Sequence, residues 1–189
     1  MKSPAKFVCN CKKSKADNLA SLITLLKKTA PIPIKDLLFT DLMLPVGKCH
    51  GIYAFCEGGN YHLQICKGEK TSDESYWYIG KASGKCIVER IGAHFTPRQK
   101  DYGNTLLRHI AEVVCGSKDD ASIAKVFDIM QDLSLKVIYF EEATDECERT
   151  CINELENELI KQLKPAFNWP KRMGRTFKIF DNNRAIIHR

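Results

Sequence analysis

The stretch CHGIYAF, Cys49 to Phe55, is short, apolar and rich in β-forming residues, and the turn signal Gly58-Gly59-Asn60 follows it. It reads as a buried strand. A second run of the same character, YWYIGKA, spans Tyr76 to Ala82 and reads as the next strand. Between them, YHLQICKG (Tyr61–Gly68) is either a hairpin return or an inserted strand, and KTSDES is a polar loop. A helix is expected from about Cys86 to Phe95, with Pro97 as its stop. Further on, LKVIYFEE (Leu135–Glu142) is a strong strand. DECERTCINELENELIKQL (Asp145–Leu163) is a long helix whose apolar stripe is Ile152, Leu155, Leu159 and Leu163, closed by Pro165. Strands and helices do not alternate strictly. The fold class is therefore α+β: a small antiparallel or mixed central sheet of about three core strands flanked by helices.

The rest of the chain elaborates this unit. Residues 1–48 form an N-terminal extension suited to DNA contact or oligomerisation. Within it a helix runs from Leu19 to about Lys28, capped by Asp17 or Asn18, and APIPIKD breaks it. LLFTDLMLPVGK (Leu37–Lys48) is apolar and fits strand or helix equally. Residues 49–170 form the main domain, with an insertion at about 98–134 that carries helical pieces around Leu106–Val114 and Ser122–Leu133. The basic tail, 171–189, suggests two short strands about the Asp-Asn-Asn turn at 181–183.

At 189 residues, 44% hydrophobic and 28% charged, the chain has the totals of an ordinary soluble domain, long enough to bury a core without staples. The net charge of +6 suits a polyanionic partner without demanding one. No run approaches a membrane span, and the first residues hold no apolar core of signal-peptide length. The nine scattered cysteines, with no Cys-x-x-Cys pair, read as reduced thiols of a cytoplasmic protein. Cys9 with Cys11 and Cys147 with Cys151 lack a second pair at zinc-ligand spacing.

Tyrosines on strands are ordinarily core or sheet-surface residues, and Tyr53 and Tyr78 taken singly are no more than that. A lone Arg-x3-His or a lone helix glutamate ordinarily marks a solvated face. Arg90 and His94, however, stand four apart and share a face of the helix after the second strand. The last helix carries Glu156, and Asn168 lies beyond its end; alone, Asn168 is a plain helix-end cap. In their order, GIY (Gly51–Tyr53), YIGKA (Tyr78–Ala82), Arg90 and LENELIKQLKPAFN (Leu155–Asn168) resemble the GIY-YIG nuclease family over roughly 51–168.

The resemblance implies a small α/β sandwich with a three-stranded sheet, cutting DNA phosphodiesters with one divalent metal. It implies Glu156 as ligand of Mg²⁺ or a substituting Mn²⁺. Arg90 stabilises phosphate charge through its guanidinium fork. Tyr53 is the general base, Tyr78 lines the site and Asn168 orders it. Ionising an ordinary tyrosine, pKa about 10, at neutral pH costs roughly 4 kcal/mol, so a neighbour must help; Lys81 and His94 are the candidates. Gly51 and Gly80 permit close packing. Glu158 points about 200° from Glu156 around the helix. Tyr53 is expected at the sheet edge, facing the phosphate.

The layout is most similar to the stand-alone type II restriction endonucleases of that family, with double-stranded DNA as partner and a homodimer or higher homo-oligomer as the assembly that cuts both strands. The alternatives are an antibacterial toxin or effector, a homing or repair nuclease, and a non-catalytic nucleic-acid-binding module. Asn60–Ser75, Arg98–Asn104 and the tail are the stretches suited to phosphate contact.

Overall fold

The computed structural model describes residues 4–8, 14–37, 50–59, 61–67, 76–83, 86–95, 106–141, 145–168, 176–181 and 184–188. Leu38–Lys48 and Arg98–Asn104 lie outside them. The strands are β1 (Ala5–Val8), β2 (Ile32–Pro33), β3 (Gly51–Cys56), β4 (Tyr61–Lys67), β5 (Tyr76–Ala82), β6 (Ser134–Glu141), β7 (Thr176–Asp181) and β8 (Arg184–His188). The helices are α1 (Lys15–Lys28), α2 (Ile34–Leu37), α3 (Ile87–His94), α4 (Leu106–Cys115), α5 (Asp120–Gln131) and α6 (Asp145–Leu163).

The fold is α+β. Its main sheet is mixed and five-stranded, in the order β1-β6-β3-β5, with β2 also on β6. The expected three core strands are its centre: β3 pairs antiparallel with both β5 and β6. The count was too low because the N-terminal segment covers the outer edge of β6. There β1 runs parallel to Ile138–Glu141, and β2 runs antiparallel to Ser134–Leu135. Covering an open edge satisfies backbone groups that would otherwise invite pairing with another chain.

All six residues of β3 are buried, as the absence of polar alternation in GIYAFC requires of a strand covered on both faces. Ile52 and Ala54 join Ile138, Phe140, Leu22, Leu26, Ile152, Leu155 and Leu159 beneath α1 and α6. Tyr53 and Phe55 face the other way, into the core built by α3, α4 and α5. The expected helix α1 begins earlier than its hydrophobic spacing indicates. Its cap is Ser14, whose hydroxyl accepts from the Asp17 amide; Asp17 and Asn18 lie inside the helix. The stripe of α6 is buried as expected at Ile152, Leu155, Leu159 and Leu163.

Tyr61–Lys67 is an inserted strand, not a hairpin return. Both edges of β3 are taken, so β4 pairs with β7, which pairs with β8 in a separate three-stranded sheet. The last two are the short strands expected of the tail. Ile179 of β7 reaches into the α3–α5 core, anchoring this sheet to the domain. Among the described residues no helix is long and apolar enough to cross a membrane.

Candidate active site

Two local features of β5 shape the site. First, its register against β3 slips between Phe55 and Cys56, placing Trp77 as the extra residue between the Phe55–Tyr78 and Cys56–Tyr76 pairs. Such a bulge bends a strand and re-aims its side chains. Here Trp77 and Tyr78 both pack on the α3–α5 core, while Tyr76 packs beneath α1 and α6. Second, Gly80 stands opposite Tyr53. A Cβ on Gly80 would overlap the Tyr53 ring and hydroxyl, so the glycine is the slot in which the phenol lies. Gly51 has the same need for a different reason: a Cβ there would strike the Ile138 carbonyl of β6.

Tyr53 is therefore not at the sheet edge. It sits on β3, between β5 and β6, and has no exposed surface. The strand beside it, β5, is the edge, and Tyr78 on that strand is partly exposed. In the state described, the Tyr53 phenol is closed off from solvent, so a substrate meets it only after its covering side chains move.

α3 supplies the polar groups over the phenol. Ile87 and Ile91 bury one face of this helix, which turns Arg90 and His94 toward the sheet one turn apart. His94 Nε2 lies 2.5 Å from Tyr53 Oη. The His94 ring is enclosed by Tyr53, Phe55 and Tyr78, with centroid distances of 5.6, 5.9 and 5.2 Å. Its other nitrogen, Nδ1, accepts the Leu106 amide at 3.4 Å. Burial, reinforced by the Arg90 charge, lowers the His94 pKa to about 3, so the imidazole is neutral at physiological pH.

Burial also pushes the Tyr53 pKa well above that of an ordinary phenol. The neighbouring Tyr78 and Glu156 add to this, and the charge and hydrogen bond of the Arg90 guanidinium oppose it. Tyr78 is raised by burial and by Glu156, again against Arg90. Both tyrosines are neutral phenols in the free protein.

The carboxylate belongs to the other side of β5. Lys81 alternates with Tyr78 and Gly80 and so shares the strand face of Ile79, toward α6. There Lys81 Nζ is 2.6 Å from Glu156 Oε2, with the lysine side chain 30% exposed and the glutamate side chain 12% exposed. Burial raises the Glu156 pKa despite the lysine and Arg90, so desolvation outweighs the ion pair. Glu158 is elsewhere, paired with Lys161 at 2.8 Å near the helix surface. Of the two candidate helpers for Tyr53, His94 touches its oxygen and Lys81 is bound to Glu156.

Asn168 does not cap α6. Its Oδ1 accepts the Ile79 amide and its Nδ2 donates to the Ile79 carbonyl, both at 2.6 Å. Ala166 and Phe167 donate their amides to the carbonyls of Tyr76 and Trp77 at 3.1 and 2.8 Å. The turn after α6 thus closes the open edge of β5 and ties the helix of Glu156 to the strand of Tyr78 and Lys81. Trp77 and Phe167 stack at a centroid distance of 5.6 Å behind this seam.

All seven residues singled out in the sequence fall in this neighbourhood: Tyr53, Tyr78, Arg90 and His94 on the α3 side, Lys81 and Glu156 on the α6 side, and Asn168 as the tie. Sequence reasoning missed Phe55 and the Leu106 amide. Phe55 carries the same two-residue spacing from Tyr53 that marks a shared strand face; a main-chain amide leaves no signal in a sequence.

Among the described residues no three metal-ligating side chains cluster. Glu156 alone fits a hard cation that keeps most of its water, as Mg²⁺ does, and does not fit a cation needing an all-protein cage. Lys81 now occupies one of its oxygens. No protein-family model, curated protein or solved structure matches this chain.

Proposed function

We propose that this protein is an endonuclease of the GIY-YIG type that hydrolyses phosphodiester bonds in double-stranded DNA. The observation that carries the reading is convergence. Tyr53, Tyr78, Arg90 and Glu156 come from four different elements, and each of the two phenols feels both the Arg90 and the Glu156 charge. Two phenols and a guanidinium on one side of β5, with a carboxylate on the other, are the groups needed to orient a nucleophile, hold an anionic phosphate and accept a divalent cation.

In this reading Arg90 grips the phosphate and neutralises charge developing on its oxygens. Tyr53 orients the attacking water and, once its own phenolic proton has passed to solvent water admitted with the substrate, takes the proton of the attacking water, an ionisation that burial makes costly in the free protein. Tyr78, on the exposed edge strand, hydrogen-bonds the water or a phosphate oxygen. Glu156 would hold Mg²⁺ or Mn²⁺, which when bound supplies positive charge to the phosphate and leaving oxygen. Lys81 balances the Glu156 charge before the cation arrives.

Support for a DNA partner comes from the second sheet. Two of the three stretches suited to phosphate contact, Asn60–Ser75 and the basic tail, are distant in sequence yet contribute β4, β7 and β8 to one sheet. We extend the proposal to site-specific, restriction-type cutting by a homodimer or higher homo-oligomer.

The test is cleavage of plasmid DNA with and without Mg²⁺, using the wild type and Glu156→Ala. Discrete fragments from the wild type with Mg²⁺, and a loss of at least about 10³-fold in the variant, are expected. Full activity in Glu156→Ala, or inactivity of the wild type on every nucleic acid tried, sinks the reading.

A further inference from the structure

His94 has two ring nitrogens with different partners, and one of those partners can act in only one way. A main-chain amide always donates. The Leu106 amide, at the start of α4, points at His94 Nδ1, so that nitrogen must present its lone pair. A helix leaves its first amides without intrahelical acceptors, and His94 satisfies this one. A neutral imidazole carries a single N–H, which then resides on Nε2. There it faces Tyr53 Oη. The opposite tautomer would set two hydrogens against each other between Nδ1 and Leu106.

We infer that His94 is a fixed hydrogen-bond donor to the Tyr53 oxygen, held in that tautomer by the first amide of α4, and is not the acceptor of the Tyr53 proton. The tautomer stands on geometry; its consequence for cleavage rests on the nuclease reading. Nε2 has no lone pair to receive a proton, and Nδ1 is shielded by an amide that cannot leave. The groups around His94 agree with this. Tyr53 and Tyr78 are neutral and Arg90 is cationic, so among the described residues no anion in contact with the ring favours an imidazolium. The burial that keeps the ring neutral works the same way.

The Tyr53 oxygen consequently receives the His94 Nε2–H, and the Arg90 guanidinium nearby favours its ionised form. Both stabilise a phenolate more than a phenol. The phenol's own hydrogen is left to point away from His94. His94 thus acts as a positioning residue through Tyr53, and α4, part of the helical insertion, belongs to the site through one backbone group.

Two measurements test this. The first is a long-range proton–nitrogen correlation spectrum of the ¹⁵N-labelled full-length protein, with the His94 ring identified by its disappearance in His94→Gln. The expected pattern between about pH 6 and 8 is a protonated Nε2 and a lone-pair Nδ1. A protonated Nδ1 with a bare Nε2, or an imidazolium, overturns the inference. The second compares cleavage by His94→Gln and His94→Ala. The glutamine amide places a donor near the former Nε2 but cannot take up a proton, so His94→Gln should exceed His94→Ala by at least about tenfold. Equal loss in both variants overturns the donor role. If the wild type cuts no nucleic acid, the nuclease reading fails while the nitrogen spectrum still decides the tautomer.

Discussion

The two sides of the edge strand β5 hold polar clusters of opposite character. On the α3 side, Tyr53, Tyr78 and His94 are neutral, enclosed by aromatic rings, and face the Arg90 cation. On the α6 side, Lys81 and Glu156 form an ion pair nearer the surface, with the lysine the most open group. Burial dominates both, but it acts differently. It keeps the phenols and the imidazole neutral, whereas on Glu156 it is partly offset by a paired charge. One strand can serve both environments because alternate residues leave it on opposite faces, and because Gly80 gives up its side chain to let the Tyr53 phenol reach across.

The most severe way to break this arrangement is to fill the slot. Gly80→Ala should destabilise the protein by about 3 kcal/mol in urea unfolding, since the added methyl meets a rigid, fully buried ring. In a Tyr53→Leu background most of that penalty should vanish. An undiminished penalty there would show that the glycine serves the backbone and not the phenol.

Cutting the tie between the two sides should matter somewhat less. Asn168→Ala removes both hydrogen bonds to Ile79 and is expected to cost about 2 kcal/mol. Because it loosens α6 from β5, it should also lower cleavage beyond what reduced folding explains, when measured at a temperature where the variant is fully folded. Asn168→Asp should recover little, as a carboxylate accepts from the Ile79 amide but repels the Ile79 carbonyl. Unchanged stability in Asn168→Ala would separate the two sides energetically.

The smallest effect sharpens the contrast by pH. His94 has a folded-state pKa of about 3 against an ordinary 6.5. Between these values the unfolded chain binds the proton and the folded one does not, so stability falls as pH drops through this window. The slope is at most about 1.4 kcal/mol per pH unit. Glu156, whose pKa is raised, acts in the opposite sense, so the readout is the difference between wild type and His94→Gln. That difference should shrink as pH falls from 6.5 toward 4; a constant difference would mean that His94 is not held neutral.

The elements legible in the sequence were those whose pattern is local. β3, β5 and β6 announce themselves as short apolar runs, α3 by its place after β5 and the Pro97 that stops it, and α6 by its stripe. The start of α1 was misplaced because Ser14 stands five residues before the first buried leucine. The sequence left β4 open between a hairpin return and an inserted strand because nothing in YHLQICKG says that both edges of β3 are already filled. The N-terminal strands escaped notice because β1 is four residues long and β2 two, too short for any period to show.

The chemical groups of the site and their order along the chain were legible before folding, because a residue's chemistry is local. The choice of Glu156 over Glu158 came from the spacing to Asn168 that the family resemblance carries, since helical rotation says only that the two point about 200° apart. Packing settled who meets whom: Lys81 went to Glu156 and His94 to Tyr53, and Asn168 became a tie to Ile79 instead of a cap. Those outcomes depend on strand alternation about a bulge, on a missing side chain at position 80, and on where the first amide of an inserted helix points. Each arises from the packing of segments far apart in sequence, which no local pattern records.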